Sequence, residues 1–220
     1  MIDVIVADDQ PLIRQAVTDI LAGQDDMKVR QAVNGADVVA QAIAMPPDVI
    51  VMDIRMPELD GIAATGRICQ DPTLAATRVL ILTTFEEDEY VVAALRSGAS
   101  GFIGKGAEPE DIVRAVRSVH AGEALLSASA TRALITRYVA LPTEPNPANI
   151  PELSELTERE QEILLLVAKG LSNLEIAEKL VISPHTAKTH VNRVMAKLQV
   201  HDRAQLVIIA YETGLVLPGS

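Results

Sequence analysis

Residues 2–9 read IDVIVADD. From Val4 to Ala7 the run is apolar at consecutive positions rather than alternating, which is what a strand covered on both faces requires, and it stops on two acids. The next stretch, Pro11–Ala22, places Leu12, Ile13, Ala16, Val17, Ile20 and Leu21 on one stripe at helical period. The same pairing of a short β-branched run with a longer amphipathic one recurs four times. KVRQAV precedes Ala36–Met45, DVIVMD precedes Leu59–Gln70, RVLILT precedes Glu87–Ser97, and GFIG precedes Pro109–His120. Five βα units with right-handed crossovers predict a doubly wound parallel sheet with helices on both faces.

The whole chain has 220 residues, 49% hydrophobic, enough for two modest domains. Cys69 is the single cysteine, so no intramolecular disulfide is possible and the expected compartment is reducing. The opening MIDVIVADDQ has no basic segment ahead of an apolar one, and no apolar run approaches the ~18 residues that span a bilayer. A cytoplasmic protein with no membrane partner is expected. The net charge of −11 argues against general polyanion binding, but it is unevenly spread. Residues 152–180 hold 3 basic and 7 acidic side chains, whereas 181–203 hold Lys188, Arg193, Lys197 and Arg203 against Asp202 alone.

Residues 141–151 read LPTEPNPANIP, with four prolines in eleven residues. Proline fixes φ and removes a backbone donor, so this tract predicts an extended linker, preceded by a helix over Ser127–Val139. The expected division is residues 1–121, a connector over 122–152, and a helical domain over 153–220. In the last, Thr157 and Glu160 form a capping-box pattern opening a helix to Lys169. Asn173 is expected to cap the next helix, to about Leu180. Ser183, followed by Pro184 at the first helical position, caps a third, to about Leu198, and Arg203–Glu212 forms the fourth.

In a doubly wound sheet the chemistry sits beyond the carboxyl ends of the strands. Strand one ends in Asp8-Asp9, strand three in Asp53, strand four in Thr83-Thr84, and the fifth is followed by Lys105. Three carboxylates brought together repel one another unless a cation neutralises them, and an oxygen-only set with few dedicated ligands suits Mg²⁺ sharing its shell with a phosphate. An amine and a hydroxyl alongside are natural partners for phosphoryl oxygens.

At these residues the sequence resembles the receiver domain of two-component response regulators, with strand order 2-1-3-4-5. The resemblance covers residues 1–121 and extends to the intervals: 45 residues from Asp8 to Asp53, 30 to Thr83 and 22 to Lys105. It implies that Asp53 accepts a phosphoryl group from a sensor histidine kinase. It also implies that Asp9, Asp53 and the Arg55 backbone carbonyl bind Mg²⁺, with Asp8 acting through water, and that Thr83 and Lys105 contact the acyl phosphate. The MPELDG segment fits the same pattern, with Pro57 and Gly61 shaping the loop. Two positions depart from it. Gly106 stands where many receivers have proline. Phe102 occupies the place of a switch tyrosine or other aromatic, so coupling through it rests on packing.

In the third helix of the second domain, with Ala187 at 0° and 100° per residue, Val191, Val194, Met195 and Leu198 fall between about 340° and 80°. Lys188, Asn192, His185, Thr189, Arg193 and Thr186 fall between about 100° and 260°, giving one core face and one polar, positive face. Such a helix behind a tight turn matches a helix-turn-helix, whose second helix enters the major groove. A four-helix bundle with an ordinary solvated surface is the plainer reading. Residues 153–216 resemble the LuxR-type DNA-binding domain, through LTEREQEILLLVAKGLSNLEIAEKL, ISPHTAKTHVNRVMAKLQVHDRAQ and AYETGL. By family position Lys188, Thr189 and Asn192 face bases, and Asn173, Ser183, Thr186, His190 and Arg193 are phosphate contacts. By the same resemblance the last helix is the dimerisation element, through Val207, Ile208 and Tyr211, although those three could equally serve to close the bundle. His190 as a metal ligand is disfavoured, since no Cys or second His lies at ligand spacing.

The combination resembles the NarL/FixJ family. The expectation is a bacterial, non-enzymatic transcription factor activated at Asp53 and binding double-stranded promoter DNA as a homodimer. Two other classes compete. An aspartate-nucleophile phosphohydrolase would use the same acids but want another acid where Arg55 stands, and a receiver with a purely protein-binding output would have no DNA partner.

Overall fold

In a computed structural model the chain is described over residues 1–84, 88–122, 125–126, 153–200 and 202–216. It divides into two compact units, residues 1–134 and 135–220. The expected helix at 127–139 and the proline-rich tract lie outside the described residues.

The first unit alternates β1 (Ile2–Ala7), α1 (Pro11–Ala22), β2 (Met27–Ala32), α2 (Gly35–Ala44), β3 (Val49–Met52), α3 (Gly61–Gln70), β4 (Arg78–Thr83), α4 (Asp88–Arg96), β5 (Gly101–Gly104) and α5 (Pro109–His120). The strands are parallel in the order β2-β1-β3-β4-β5, the order that the resemblance implies. A sixth strand extends that order. Leu125 and Leu126, here β6, pair parallel with Gly101 and Phe102 after Gly122 turns the chain at φ +83°. Two residues are too short to carry a period, so the sequence offers no signal for it.

Burial follows the two-faced design. Val4, Val6, Val49, Val51, Leu80 and Leu82 point to one side, against Val17 and Leu21 of α1 and Ile112, Val116 and Val119 of α5. Ile5, Ile50, Met52, Ile81 and Phe102 occupy the alternate positions and are equally buried. The edge strand β2 is largely in partial contact with solvent.

The second unit packs α6 (Glu158–Ala168), α7 (Asn173–Leu180), α8 (Pro184–Lys197) and α9 (Arg203–Glu212) around Ile163, Val167, Ile176, Val191, Val194 and Leu206. Thr157 closes a capping box on α6, with Glu160 Oε2 accepting from the Thr157 amide at 2.9 Å. The expected cap of α7 is corrected: Ser172, not Asn173, is the N-cap, and its amide donates to Glu175 Oε2 at 2.7 Å. Ser172-x-x-Glu175 is itself a capping-box pattern, and the serine oxygen reaches the third amide where Asn173, one residue on, is already helical. Val181 then takes a left-handed conformation at φ 55° to turn the chain into α8.

Glu160 does more than cap. It is buried, and Lys197 Nζ of α8 donates to it at 2.7 Å. The Lys197 ammonium and then the Thr157 amide hold its carboxyl down at about 2, against 4.5 ordinarily. A depressed carboxyl stabilises the fold above its unfolded value and loses that contribution as the pH falls through its folded value. Glu160→Gln is therefore expected to destabilise the second unit by about 1–2 kcal/mol near neutrality, a figure reduced for the solvent around Lys197. Thermal melts of the full chain should show the gap between variant and parent closing as the pH falls from 4.5 to about 2.

Candidate functional site

The register of the sheet assembles the first site. Ala7 pairs with Met52, Met52 with Ile81, and Thr83 with Gly104, so β1, β3, β4 and β5 end at one edge. Whatever follows each strand is delivered there. The Asp53 amide donates to the Ala7 carbonyl at 2.9 Å and the Lys105 amide to the Thr83 carbonyl at 2.9 Å. Asp8, Asp53 and Thr83 are buried, while Asp9 stays at the surface.

Carboxylate oxygens of Asp8, Asp9 and Asp53 lie within 4.8 Å of one another. Lys105 Nζ sits 2.7 Å from Asp8 Oδ2 and 3.2 Å from Asp53 Oδ2, with its own side chain buried. One ammonium thus pairs with two of three clustered acids, and the pocket keeps an excess of negative charge. Burial, with the neighbouring Asp8 adding to it, pushes the Asp53 carboxyl above the usual range, against the opposite pull of Lys105 and the Thr83 hydroxyl. Asp53 Oδ1 is buried and accepts no hydrogen bond among the described residues. An orphaned buried carboxylate oxygen is costly unless a ligand completes it. The donor set is all oxygen and over-charged, which fits a hard divalent cation such as Mg²⁺.

Two glycines let the loop after Asp53 fold back on the site. A Cβ on Gly61 would lie 1.9 Å from the Asp53 carbonyl oxygen, and one on Gly35 would lie 2.2 Å from that of Leu59. Glu58, at φ 66°, makes the bend between them. Arg55 is exposed and turned toward α4, its Nη2 donating to the Tyr90 hydroxyl at 3.0 Å and its guanidinium 5.6 Å from that ring's centroid. Phe102 is fully buried on β5, on the sheet face opposite the α1–α5 layer.

In the second unit α8 presents the expected two faces. Ala187, Val191, Val194 and Leu198 are buried, whereas His185, Lys188, Asn192 and Arg193 are exposed, with Thr186, Thr189 and His190 partly so. Ser183 Oγ accepts from the Thr186 amide at 3.0 Å, and the Thr189 hydroxyl donates to the His185 carbonyl at 2.9 Å. The local basic charge is smaller than the sequence count. Lys197 is held by Glu160, and Arg203 donates to the Leu171 carbonyl and, at 3.0 Å, to Asn173 Oδ1. Those two cations brace the bundle, and Lys188 and Arg193 carry the positive face. Asn173 is accordingly engaged inside the domain. On α9, Ile208 is buried, while Val207 and Tyr211 keep partial exposure and pack against the helical core. The three therefore form no continuous exposed patch in this structure.

Comparisons with known proteins agree with both halves. The family described as response regulator receiver domain matches residues 4–117, and the luxR family of bacterial regulatory proteins matches residues 154–210. The transcriptional regulatory protein YxjL of Bacillus subtilis is 38% identical over 216 residues, covering 98% of this chain and 97% of its own. Response regulator protein VraR of Staphylococcus aureus (strain NCTC 8325 / PS 47) is 38% identical over 98% of this chain and 99% of its own. Among solved structures, response regulator ChrA of a heme-sensing two-component system is 33% identical, with a TM-score of 0.52, over 98% of both chains. These relatives are regulators rather than enzymes, which removes the phosphohydrolase reading. Among the described residues no helix is long and apolar enough to cross a membrane.

Proposed function

The chain belongs to the two-component response regulators that join a receiver domain to a LuxR-family DNA-binding domain, and from that premise we propose that a phosphoryl group on Asp53 switches its hold on promoter DNA. The observation that carries this reading is the asymmetry of the Asp53 carboxylate. Oδ2 is tied to Lys105, and Oδ1 is buried, unpartnered and beside two further acids.

The donor is a phosphohistidine of a sensor histidine kinase. Asp53 Oδ1 attacks phosphorus, the bond from phosphorus to the imidazole nitrogen breaks, and that nitrogen leaves with the electron pair and takes a proton. Held by Asp9, Asp53 and the Arg55 carbonyl, with Asp8 through water, Mg²⁺ would neutralise the crowded oxygens. Lys105, released from part of its load on Asp53, donates to a phosphoryl oxygen, and the Thr83 hydroxyl to another. Thr83 adjoins Leu82 on β4, whose neighbour across the ladder is β5, so its movement is felt by the packing around Phe102.

In the output domain α8 enters the major groove. Lys188, Thr189 and Asn192 meet base edges, and Ser183, Thr186, His190 and Arg193 meet phosphates, with Asn173 reaching one only by exchanging its bond to Arg203. Dimerisation is assigned to α9, where Val207 and Tyr211 retain solvent-facing surface and Ile208 would join after rearrangement. A kinase partner and a chromosomal target place the working protein in the cytoplasm.

The test is the affinity of the full chain for promoter DNA, and its sedimentation, with and without beryllofluoride plus Mg²⁺. A tighter, larger complex with the phosphoryl mimic is the expected result, and identical behaviour would overturn the reading. Lys188→Ala is expected to weaken specific binding by about tenfold and lower the salt slope by about one counterion. Unchanged slope and affinity would remove α8 as the reading helix.

A further inference from the structure

Behind Asp8 lies a layer of hydrogen bonds that neither strand ends nor motif positions reveal. Arg14, half-buried on α1, donates through Nη1 to the Asp8 carbonyl at 2.6 Å and through Nε to Gln31 Oε1 on β2 at 3.2 Å. Gln31 is itself braced: its side-chain amide donates to Gln15 Oε1 at 3.1 Å, and its backbone carbonyl accepts from Gln41 Nε2 at 2.9 Å. The guanidinium therefore spans from the β1–α1 turn to the edge strand with both ends anchored.

The carbonyl it grips belongs to the peptide joining Asp8 to Asp9. A peptide is planar, so fixing its oxygen fixes the direction in which Asp9 leaves the strand. Other contacts hold Asp8 itself and tether it across Asp9 to the Gln10 amide, and Arg14 adds a grip on the peptide between the two acids. The Asp8 amide donates to the Ala32 carbonyl at 3.3 Å, its Oδ1 accepts from the Gln10 amide at 2.9 Å, and its Oδ2 faces Lys105. Asp9 is exposed, so packing does not orient it, and α1 has no side-chain N-cap to stiffen the turn. Arg14 supplies what those contacts leave open.

We propose that Arg14 is a positioning residue for the divalent cation, presetting the Asp8–Asp9 peptide so that both carboxylates face Asp53, with Gln31 as the strut that holds the guanidinium. The inference rests on reading Asp8, Asp9 and Asp53 as a cation site. It differs in sign from simple electrostatics. Removing a positive charge from the neighbourhood of a cation site should tighten cation binding, whereas releasing a preset turn should weaken it, because ordering is then charged to the binding step.

The experiment is a calorimetric Mg²⁺ titration of the full chain and of R14A, R14K and Q31A, each with a thermal melt. R14A and R14K are both expected to bind Mg²⁺ about tenfold more weakly, since lysine keeps the charge but cannot span both oxygens. Q31A should fall between them and the parent. A parent chain that binds no Mg²⁺ at millimolar concentration overturns the cation site and this role with it. A parent that binds, with R14A equal or tighter, overturns the role of Arg14 alone, as does a fall in melting temperature with no change in Mg²⁺ affinity. If R14A does not fold, R14K and Q31A decide by the same criterion.

Discussion

Asp53→Asn is expected to erase the phosphoryl-dependent gain in DNA affinity while leaving the folded chain intact. The side chains are nearly isosteric, and the amide oxygen can still accept from Lys105, which in any case retains Asp8 at 2.7 Å. The charge change favours the fold. Asp53 is buried beside Asp8, and its carboxyl is pushed upward chiefly by that burial, so a neutral group there relieves like-charge crowding. What is lost is the nucleophile, because an amide oxygen does not form the acyl phosphate. Coupling between two sites in one protein typically amounts to about 5–150-fold in affinity. In the parent chain, acetyl phosphate should produce a gain in that range, measured by fluorescence anisotropy on labelled promoter DNA. In the variant the two curves should superimpose, with melting unchanged or slightly raised. A full gain in Asp53→Asn would mean that another group accepts the phosphoryl or that the donor acts elsewhere.

Much of the site was legible because chemistry-bearing residues stand directly after strands, where a parallel register leaves them no other destination. Asp8, Asp53, Thr83 and Lys105 are each within two residues of a strand end. The boundaries of α1, α5 and α9 coincide with their sequence expectations, since proline, glycine and acidic caps punctuate them. What was hidden is tertiary. Nothing in the sequence separates a solvated cation from a bracing one, so Lys197 and Arg203 counted toward a basic segment that the bundle partly consumes. Arg14 gave no signal because its partners, the Asp8 carbonyl and Gln31, lie in the β1–α1 turn and on the edge strand β2. Nothing in the sequence singles out Gly35, yet its lack of a side chain is needed for contact with the Leu59 carbonyl, 24 residues on.

Gly61→Ala should be the most damaging single-carbon change in the receiver. A methyl group there would sit 1.9 Å from the Asp53 carbonyl oxygen, 2.9 Å from its carbon and 3.0 Å from Met52 Cγ. Only the methionine can step aside. The carbonyl belongs to the residue that follows the central strand β3, and the Gly61 amide is tied to the Ile54 carbonyl at 2.8 Å, so neither side of the contact has room to retreat. Relief must come from displacing the 54–60 loop or the end of β3. Both routes break backbone hydrogen bonds next to a buried carboxylate, and a loss of about 3–5 kcal/mol is expected. That is a large share of the total stability of a domain this size and corresponds to roughly 10–20 °C in melting midpoint. Because relief displaces Asp53 itself, surviving folded protein should also accept phosphoryl from acetyl phosphate more slowly than the parent, even well below its midpoint. A variant that melts like the parent would show that the loop reaches Asp53 by a looser path than the one described.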